Sequence, residues 1–455
     1  MRNVISHLDG SQLQTVPIST LADLNGQLDL ACASMTTLGT EPRWRRIEWL
    51  TRIRAALVSS TAELVSLMAH EVGKPVTLGR AELERATALV DQTIAELMTM
   101  SGDAPYVDDQ RAHASRMVIT KRFPIGVVGA ITPFNFPINL VLHKVLPAIA
   151  TGCPVIVKPS ERTHSISKRF SDIFSDSGMP SGAVQFDFAD DGPAHARMLG
   201  ADSRVAFLSF TGSDTVGRLL AREAAGKPQI MELGGSAAMY IGDDADIEVA
   251  ARKCAMGAMA YAGQVCISVQ RIYVHKHVVG SFRDAFLHEV SALSPKNPLT
   301  DGHILGPMID EASAKRFIGH CESLDAAQLL ISPAVNDERY VSPAVVTGID
   351  QMHPLIQTEA FAPVAILGEV NGLEEAIHKM NGTPYGLQSG VFTNRIQDAL
   401  LAHNQLRGGA VYINDVPTVR IDKLSYGGDG SSGSGREGIR DVKQAYTTSR
   451  HLVFS

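Results

Sequence analysis

Cysteine is scarce in this chain: 5 residues in 455, with no CxxC pair. That is too sparse for a disulfide framework, so a reducing cytoplasm is the expected compartment. Basic excess is missing as well. Lys and Arg number 41 against 48 Asp and Glu, a net charge of −7. With no basic face in view, nucleic acid is set aside as a partner. Long apolar runs are lacking too. Residues 1–10 hold no run of signal-peptide length. The most apolar region, residues 125–157, is interrupted by Asn135, Asn139, His143, Lys144 and several prolines, which argues against a membrane span. No HxxxH pair occurs, and no metal site is expected. What remains is 45% hydrophobic and 20% charged, an ordinary soluble composition in a chain long enough for two or three domains.

The first hundred residues read as helical, without clear strand signals. Residues 44–58, 62–71 and 80–100 carry apolar residues at three-to-four spacing, punctuated by Gly73-Lys74-Pro75. Residues 117–122 alternate as a strand does. From Phe123 the pattern changes to short apolar runs, 126–131 and 154–157, with a helical segment at 140–150 between them. Runs of that kind suit strands buried on both faces. Alternation continues through 206–210, 216–225 and 237–241, with a second α/β segment from 247 to 419 and a candidate strand at 447–455. This is the pattern of parallel α/β sheets, which bind nucleotides at the carboxyl ends of their strands. A literal GxGxxG at Gly433–Gly438 is rejected as a dinucleotide fingerprint. It has no strand immediately before it, too little chain follows for a βαβ unit, and a flexible loop is expected there.

Gly263-Gln264-Val265-Cys266-Ile267-Ser268 and Met231-Glu232-Leu233-Gly234-Gly235 supply a cysteine and a carboxylate. A thiolate adds to carbonyls, and a carboxylate can then activate water. The two lie too far apart in sequence for one helix face, so tertiary folding must bring them together. The other cysteines, Cys32, Cys153, Cys254 and Cys321, read as small buried hydrophobes.

Other unusual pieces follow in order: Pro133-Phe134-Asn135-Phe136-Pro137, Lys158-Pro159-Ser160-Glu161, Phe210-Thr211-Gly212-Ser213 and Thr358-Glu359-Ala360-Phe361-Ala362-Pro363. A turn explains any one of them. Together, in this order and at these distances, they resemble the aldehyde dehydrogenase superfamily over nearly the whole chain. The resemblance implies an α/β, aldehyde dehydrogenase-like fold: a Rossmann-like NAD-binding domain (1–102 and 122–231), an α/β catalytic domain (232–440) and a small β oligomerisation element (103–121 and 441–455). It also implies that Cys266 forms a thiohemiacetal whose collapse sends hydride to the nicotinamide. Asn135 and the backbone N–H of Cys266 hold the oxyanion, and Glu232 activates the hydrolytic water. A fixed oxyanion donor is worth about 3 kcal/mol. Asn135 also has a plainer reading, as a turn residue bonding local backbone.

By the same resemblance Lys158 and Glu161 meet the adenosine ribose, Gly212 and Ser213 face the pyrophosphate at a helix N-terminus, Glu359 holds the nicotinamide ribose, and Phe210, Leu233 and Phe361 complete the cofactor set. A carboxylate at 161 repels a 2′-phosphate, which favours NAD over NADP. The plainer readings are a solvated Lys158–Glu161 pair and an ordinary cap at Ser213.

For the substrate, Phe361-Ala362-Pro363 stands where the family usually has Phe-Gly-Pro, and residues 414–422 resemble lactaldehyde and glyceraldehyde-type branches. His143 reads as a donor to a hydroxyl or anion, or as a core histidine bonded to backbone. Arg420 reads as an anion contact, or as a loop salt bridge with Asp422 or Asp415. Val265 stands where phosphate-recognising relatives often carry arginine, and with Ile267 it suggests a partly apolar wall. A small aldehyde bearing a hydroxyl or acid group is expected, oxidised by a homodimer or homotetramer. The rival readings are a CoA-acylating or phosphonate/sulfonate-specific relative, a thiol hydrolase, and a silent binding protein on the same fold.

Overall fold

The computed structural model describes residues 1–455 apart from the side chain of Asn336. Two mostly parallel sheets organise the chain. The first has six strands in the order Gly433–Ser434, Gln229–Glu232, Val205–Thr211, Val127–Ile131, Val155–Lys158, Val184–Phe186. Val127–Ile131 and Val155–Lys158 are buried along their whole length, as their β-branched runs require of strands covered on both faces. The second sheet has seven strands, in the order Leu329–Ile331, Ala344–Thr347, Val364–Val370, Val269–His275, Ala237–Ile241, Gln388–Phe392, Ala410–Ile413. Each sheet is parallel except for one edge strand, Gly433–Ser434 in the first and Leu329–Ile331 in the second.

The carboxyl ends of three first-sheet strands deliver Lys158, Thr211 and Glu232. Helix Asn139–Thr151 follows the Asn135 segment, is buried along nearly all of its length, and packs against helix Val76–Met98. That second helix starts where Gly73, at φ +67°, ends helix Thr61–Val72, the left-handed cap that glycine takes without strain. No helix is long and apolar enough to cross a membrane.

Two expectations change. The first hundred residues do contain strands, Arg2–Ile5 paired antiparallel with Gln12–Val16. This hairpin is largely exposed and polar, so it leaves little periodic signal. The helix Leu21–Thr40, with Thr20 and Asp23 forming a capping box at its start, agrees with the helical reading of this region. The Gly433–Gly438 segment is not a flexible loop. Gly433–Ser434 pairs with Gln229–Glu232, and Glu437 is fully buried. A Cβ on Gly433 would strike the Met231 carbonyl, so glycine serves close backbone approach there rather than mobility.

The predicted strand at 117–122 and the C-terminal one pair with each other. Met117–Pro124 and Thr447–Phe454 form an antiparallel ribbon along eight residues each. Met117, Ile119, Leu452, Val453 and Phe454 are exposed on it.

Candidate active site

One cavity of about 700 Å³ is lined by Asn135, Glu232, Cys266 and Glu359, with His143 and Arg420 also in its wall. The segment that carries the thiol is held by backbone in unusual conformations. Tyr261, Ala262 and Gly263 have φ of 53°, 54° and 66°. At Gly263 a Cβ would fall against the carbonyl oxygen of Ala362, so only glycine fits. The Cys266 thiol meets the Tyr426 hydroxyl at 3.1 Å. Burial pushes the thiol up to about 12, against the pull of that hydrogen bond.

Glu232, the last residue of its strand, is 3% exposed, and neither of its carboxylate oxygens has a protein partner. Burial, then the neighbouring Glu437 charge, raises it well above the carboxylate range. Glu437 is ion-paired with buried Lys144; burial acts to raise it, but Lys144, His143 and Arg420 together hold it low. A buried carboxylate with free lone pairs and a raised pKa suits a general base for water.

Asn135 Nδ2 donates to the Gln264 carbonyl at 3.0 Å, and its Oδ1 accepts from Phe136 N at 3.1 Å. Only the second of these bonds is the local one of the plainer reading; the first reaches 129 residues along the chain, at the cavity wall. The segment is anchored from behind. Lys74 Nζ donates to the Asn135 carbonyl at 2.8 Å, lies over the Phe136 ring at 3.8 Å and pairs with buried Glu82. Glu82 Oε1 in turn accepts from Ile138 N and Asn139 N at 2.9 and 3.0 Å, which caps helix Asn139–Thr151.

The expected cofactor residues divide. Gly212, Ser213, Leu233, Glu359 and Phe361 line the cavity, whereas Lys158, Glu161 and Phe210 do not. Lys158 and Glu161 pair at 2.7 Å, with Lys158 buried. Phe210 packs beneath Gly212, where a Cβ would meet its ring at 2.6 Å. Ser213 caps helix Asp214–Glu223 and opens it toward the cavity. Glu359 accepts one bond, from Gly235 N at 3.1 Å, and burial raises it to about 7. A Cβ on Gly234 would sit 2.6 Å from that carboxylate, so the glycine keeps a cradle open beside it. A helix N-terminus, a half-satisfied carboxylate and this cradle fit a dinucleotide.

Sequence reasoning missed part of a charged cluster at the cavity wall. Arg85 grips Asp422 at 3.0 and 3.1 Å, His143 Nε2 lies 3.3 Å from the same carboxylate, and Arg420 Nε lies 3.4 Å from it. Arg420 thus takes the salt bridge foreseen with Asp422, while Asp415 pairs with Lys253 instead. Its Nη2 is buried without a partner. His143 is bonded to a side chain rather than to backbone, and burial lowers its pKa. Arg85 sits 337 residues from Asp422, so no local spacing revealed it. Val265 and Ile267 line the cavity as expected. Away from it, Asp243, His275 and His277 bring ligand-type atoms within 4.8 Å of one another, although Asp243 is paired with Arg395 at 2.7 Å. The spacing rules passed over this grouping.

The aldehyde dehydrogenase family matches residues 2–452. This chain belongs to that family. As an aldehyde dehydrogenase it is an NAD(P)-dependent oxidoreductase with a cysteine-dependent mechanism. It is 32% identical over 441 residues to 3-sulfolactaldehyde dehydrogenase of Priestia aryabhattai, covering 97% of this chain and 92% of that one. It is 33% identical over 414 residues to lactaldehyde dehydrogenase of Methanococcus vannielii, covering 90% and 87%. Among solved structures, glyceraldehyde-3-phosphate dehydrogenase of Methanocaldococcus jannaschii, complexed with NADP, superimposes with a TM-score of 0.94 at 30% identity, covering 100% and 98% of the two chains.

Proposed function

We propose that this aldehyde dehydrogenase oxidises a small, polar aldehyde bearing a hydroxyl or acid group to its carboxylate, with NAD as the preferred cofactor. The observation that carries the substrate class is the Arg85–Asp422–Arg420–His143 cluster in the cavity that also holds the Cys266 thiol. Two guanidiniums face one carboxylate, and the buried imidazole is disfavoured as a cation. The cluster is therefore net positive, and Arg85, His143 and Arg420 present it to the cavity. An acid or hydroxyl on the aldehyde complements that charge. The relatives named for lactaldehyde and sulfolactaldehyde support the same class.

In this reading Cys266 attacks the aldehyde carbon. Asn135 Nδ2 turns from the Gln264 carbonyl to the oxyanion, alongside the Cys266 backbone N–H. Bound NAD supplies the hydride acceptor. Glu232 then takes a proton from water, which hydrolyses the thioester. Gly212 and Ser213 hold the pyrophosphate, with Leu233 and Phe361 flanking the cofactor and Glu359 on the nicotinamide ribose. Lys158 and Glu161 take the adenosine ribose, and Phe210 supports the floor. Glu161 disfavours a 2′-phosphate.

The proposed division is a cofactor domain at 1–102 and 122–231, a catalytic domain at 232–440, and oligomerisation strands at 103–121 and 441–455. Residues 433–434 pass back to the first sheet. The exposed apolar ribbon supports a homodimer or homotetramer, and the free thiols suit the cytoplasm.

The test is NADH and NADPH formation, followed by near-ultraviolet absorbance, with lactaldehyde, glyceraldehyde, its 3-phosphate, succinic semialdehyde, phosphonoacetaldehyde and plain aliphatic aldehydes. A hydroxy or acid aldehyde with NAD should show the highest kcat/KM. Arg420→Met should raise KM more for the acid-bearing members than for lactaldehyde. A preference for the plain aliphatic series would refute the substrate class.

A further inference from the structure

Cys266 is partly buried and two carboxylates face its sulfur, so a thiolate there needs a compensating donor. Tyr426 provides one. Its hydroxyl is 3.1 Å from Sγ, the one hydrogen bond the thiol makes among the described residues. The ring is fixed on several sides. The backbone exchanges two hydrogen bonds with Glu437, at 2.7 and 2.6 Å. The ring packs with Ile267 and Leu387, and the Arg420 guanidinium stacks on it at 4.2 Å. A donor locked in this way loses little freedom when its acceptor gains charge. The phenol also keeps its own proton. Burial, then the nearby Cys266 and Glu232 charges, raises Tyr426 well above the usual phenol range.

We propose that Tyr426 is a catalytic residue whose hydroxyl donates to the Cys266 thiolate and stabilises the nucleophile. In the activating step the S–H bond breaks and the proton passes to solvent water in the cavity. Sulfur keeps the electron pair, and the Tyr426 O–H stays intact as the donor. The other groups facing the thiol are Glu359, from the segment before strand Val364–Val370, and Glu232, from the end of its own strand. Both carboxylates oppose ionisation of the sulfur. Behind the ring, Arg420 acts in the opposite sense on the phenol. Tyr426 is thus the side-chain donor in direct contact with the sulfur, set against two carboxylates that resist its charge.

The inference rests on Cys266 being the nucleophile, so its test is read on that cysteine and not on turnover. Alkylation of Cys266 by iodoacetamide is followed against pH by peptide mass spectrometry, without aldehyde or cofactor, in the parent and in Tyr426→Phe. Phenylalanine keeps the ring against Arg420, Ile267 and Leu387 and removes only the hydroxyl. Alkylation at pH 8, far below the midpoint of so raised a thiol, should slow about tenfold, as expected for one hydrogen bond to a charged acceptor. A profile superimposed on the parent's overturns the proposal. If the phenylalanine variant does not fold, Tyr426→Met gives a second test. It also removes the hydroxyl, and alkylation at pH 8 should slow by a similar factor; a parental rate overturns the proposal equally. An aldehyde panel without turnover would instead count against the dehydrogenase reading and leave this profile unaffected.

Discussion

Replacing Lys74 with methionine should destabilise the protein by about 3–5 kcal/mol, the typical cost of breaking a buried ion pair from one side. The Lys74 and Glu82 side chains are 1% and 0% exposed, so water cannot take over the stranded carboxylate. Glu82 would retain its bonds from Ile138 N and Asn139 N, which places the cost at the lower end of that range. The double variant Lys74→Met/Glu82→Gln separates charge from packing. Glutamine Oε1 still caps helix Asn139–Thr151, and no unpaired charge remains. Its loss should shrink to about 1–2 kcal/mol, for the missing donor to the Asn135 carbonyl and the missing cation over Phe136. Turnover should not recover in parallel. The segment presenting Asn135, the proposed oxyanion donor, has lost its anchor, and a misplacement of about 1 Å costs up to about a hundredfold in kcat. Denaturant unfolding and steady-state kinetics on both variants read the two effects. A single variant within about 1 kcal/mol of the parent, or a double no more stable than the single, would refute the reasoning.

Two further outcomes are expected. Glu161→Gln removes the charge opposed to a 2′-phosphate and frees Lys158 from its 2.7 Å pair; the ratio of kcat/KM for NADP over NAD should rise about tenfold or more, and an unchanged ratio would mean that Glu161 does not set the preference. Gly263→Ala forces a Cβ into the Ala362 carbonyl at a φ of +66°, so the variant should melt lower and lose more than about tenfold in turnover, the left-handed conformation alone costing about 1–2 kcal/mol; parental activity and melting would show that the backbone around the nucleophile has room to adapt.

Much of the fold was legible because its strands are buried on both faces. The run 154–157 overlaps the strand Val155–Lys158, and the segment 206–210 falls within Val205–Thr211. Arg2–Ile5 and Gln12–Val16 were not legible, since an exposed two-stranded hairpin has no apolar face to impose a period. At the site, Cys266, Glu232, Asn135 and Glu359 stand in motifs readable along the chain, and the structure brings all four to one cavity. Arg85, Tyr426 and the Lys144–Glu437 pair stayed hidden. Each owes its place to a partner more than a hundred residues away, and local spacing does not encode such distances. The Gly433–Gly438 segment misled for a related reason, because glycine there answers to the neighbouring Gln229–Glu232 strand and not to its own sequence surroundings.

The central claim is that Cys266 carries the substrate as a thioester that Glu232 resolves. The most direct measurement is mass spectrometry of the Cys266 peptide after mixing Glu232→Gln with NAD and the preferred aldehyde, with Cys266→Ala run beside it. The glutamine variant should accumulate an acyl mass on Cys266, and the alanine variant should bind NAD yet neither acylate nor turn over. Turnover retained in Cys266→Ala, or an acyl group found on another residue, would contradict it.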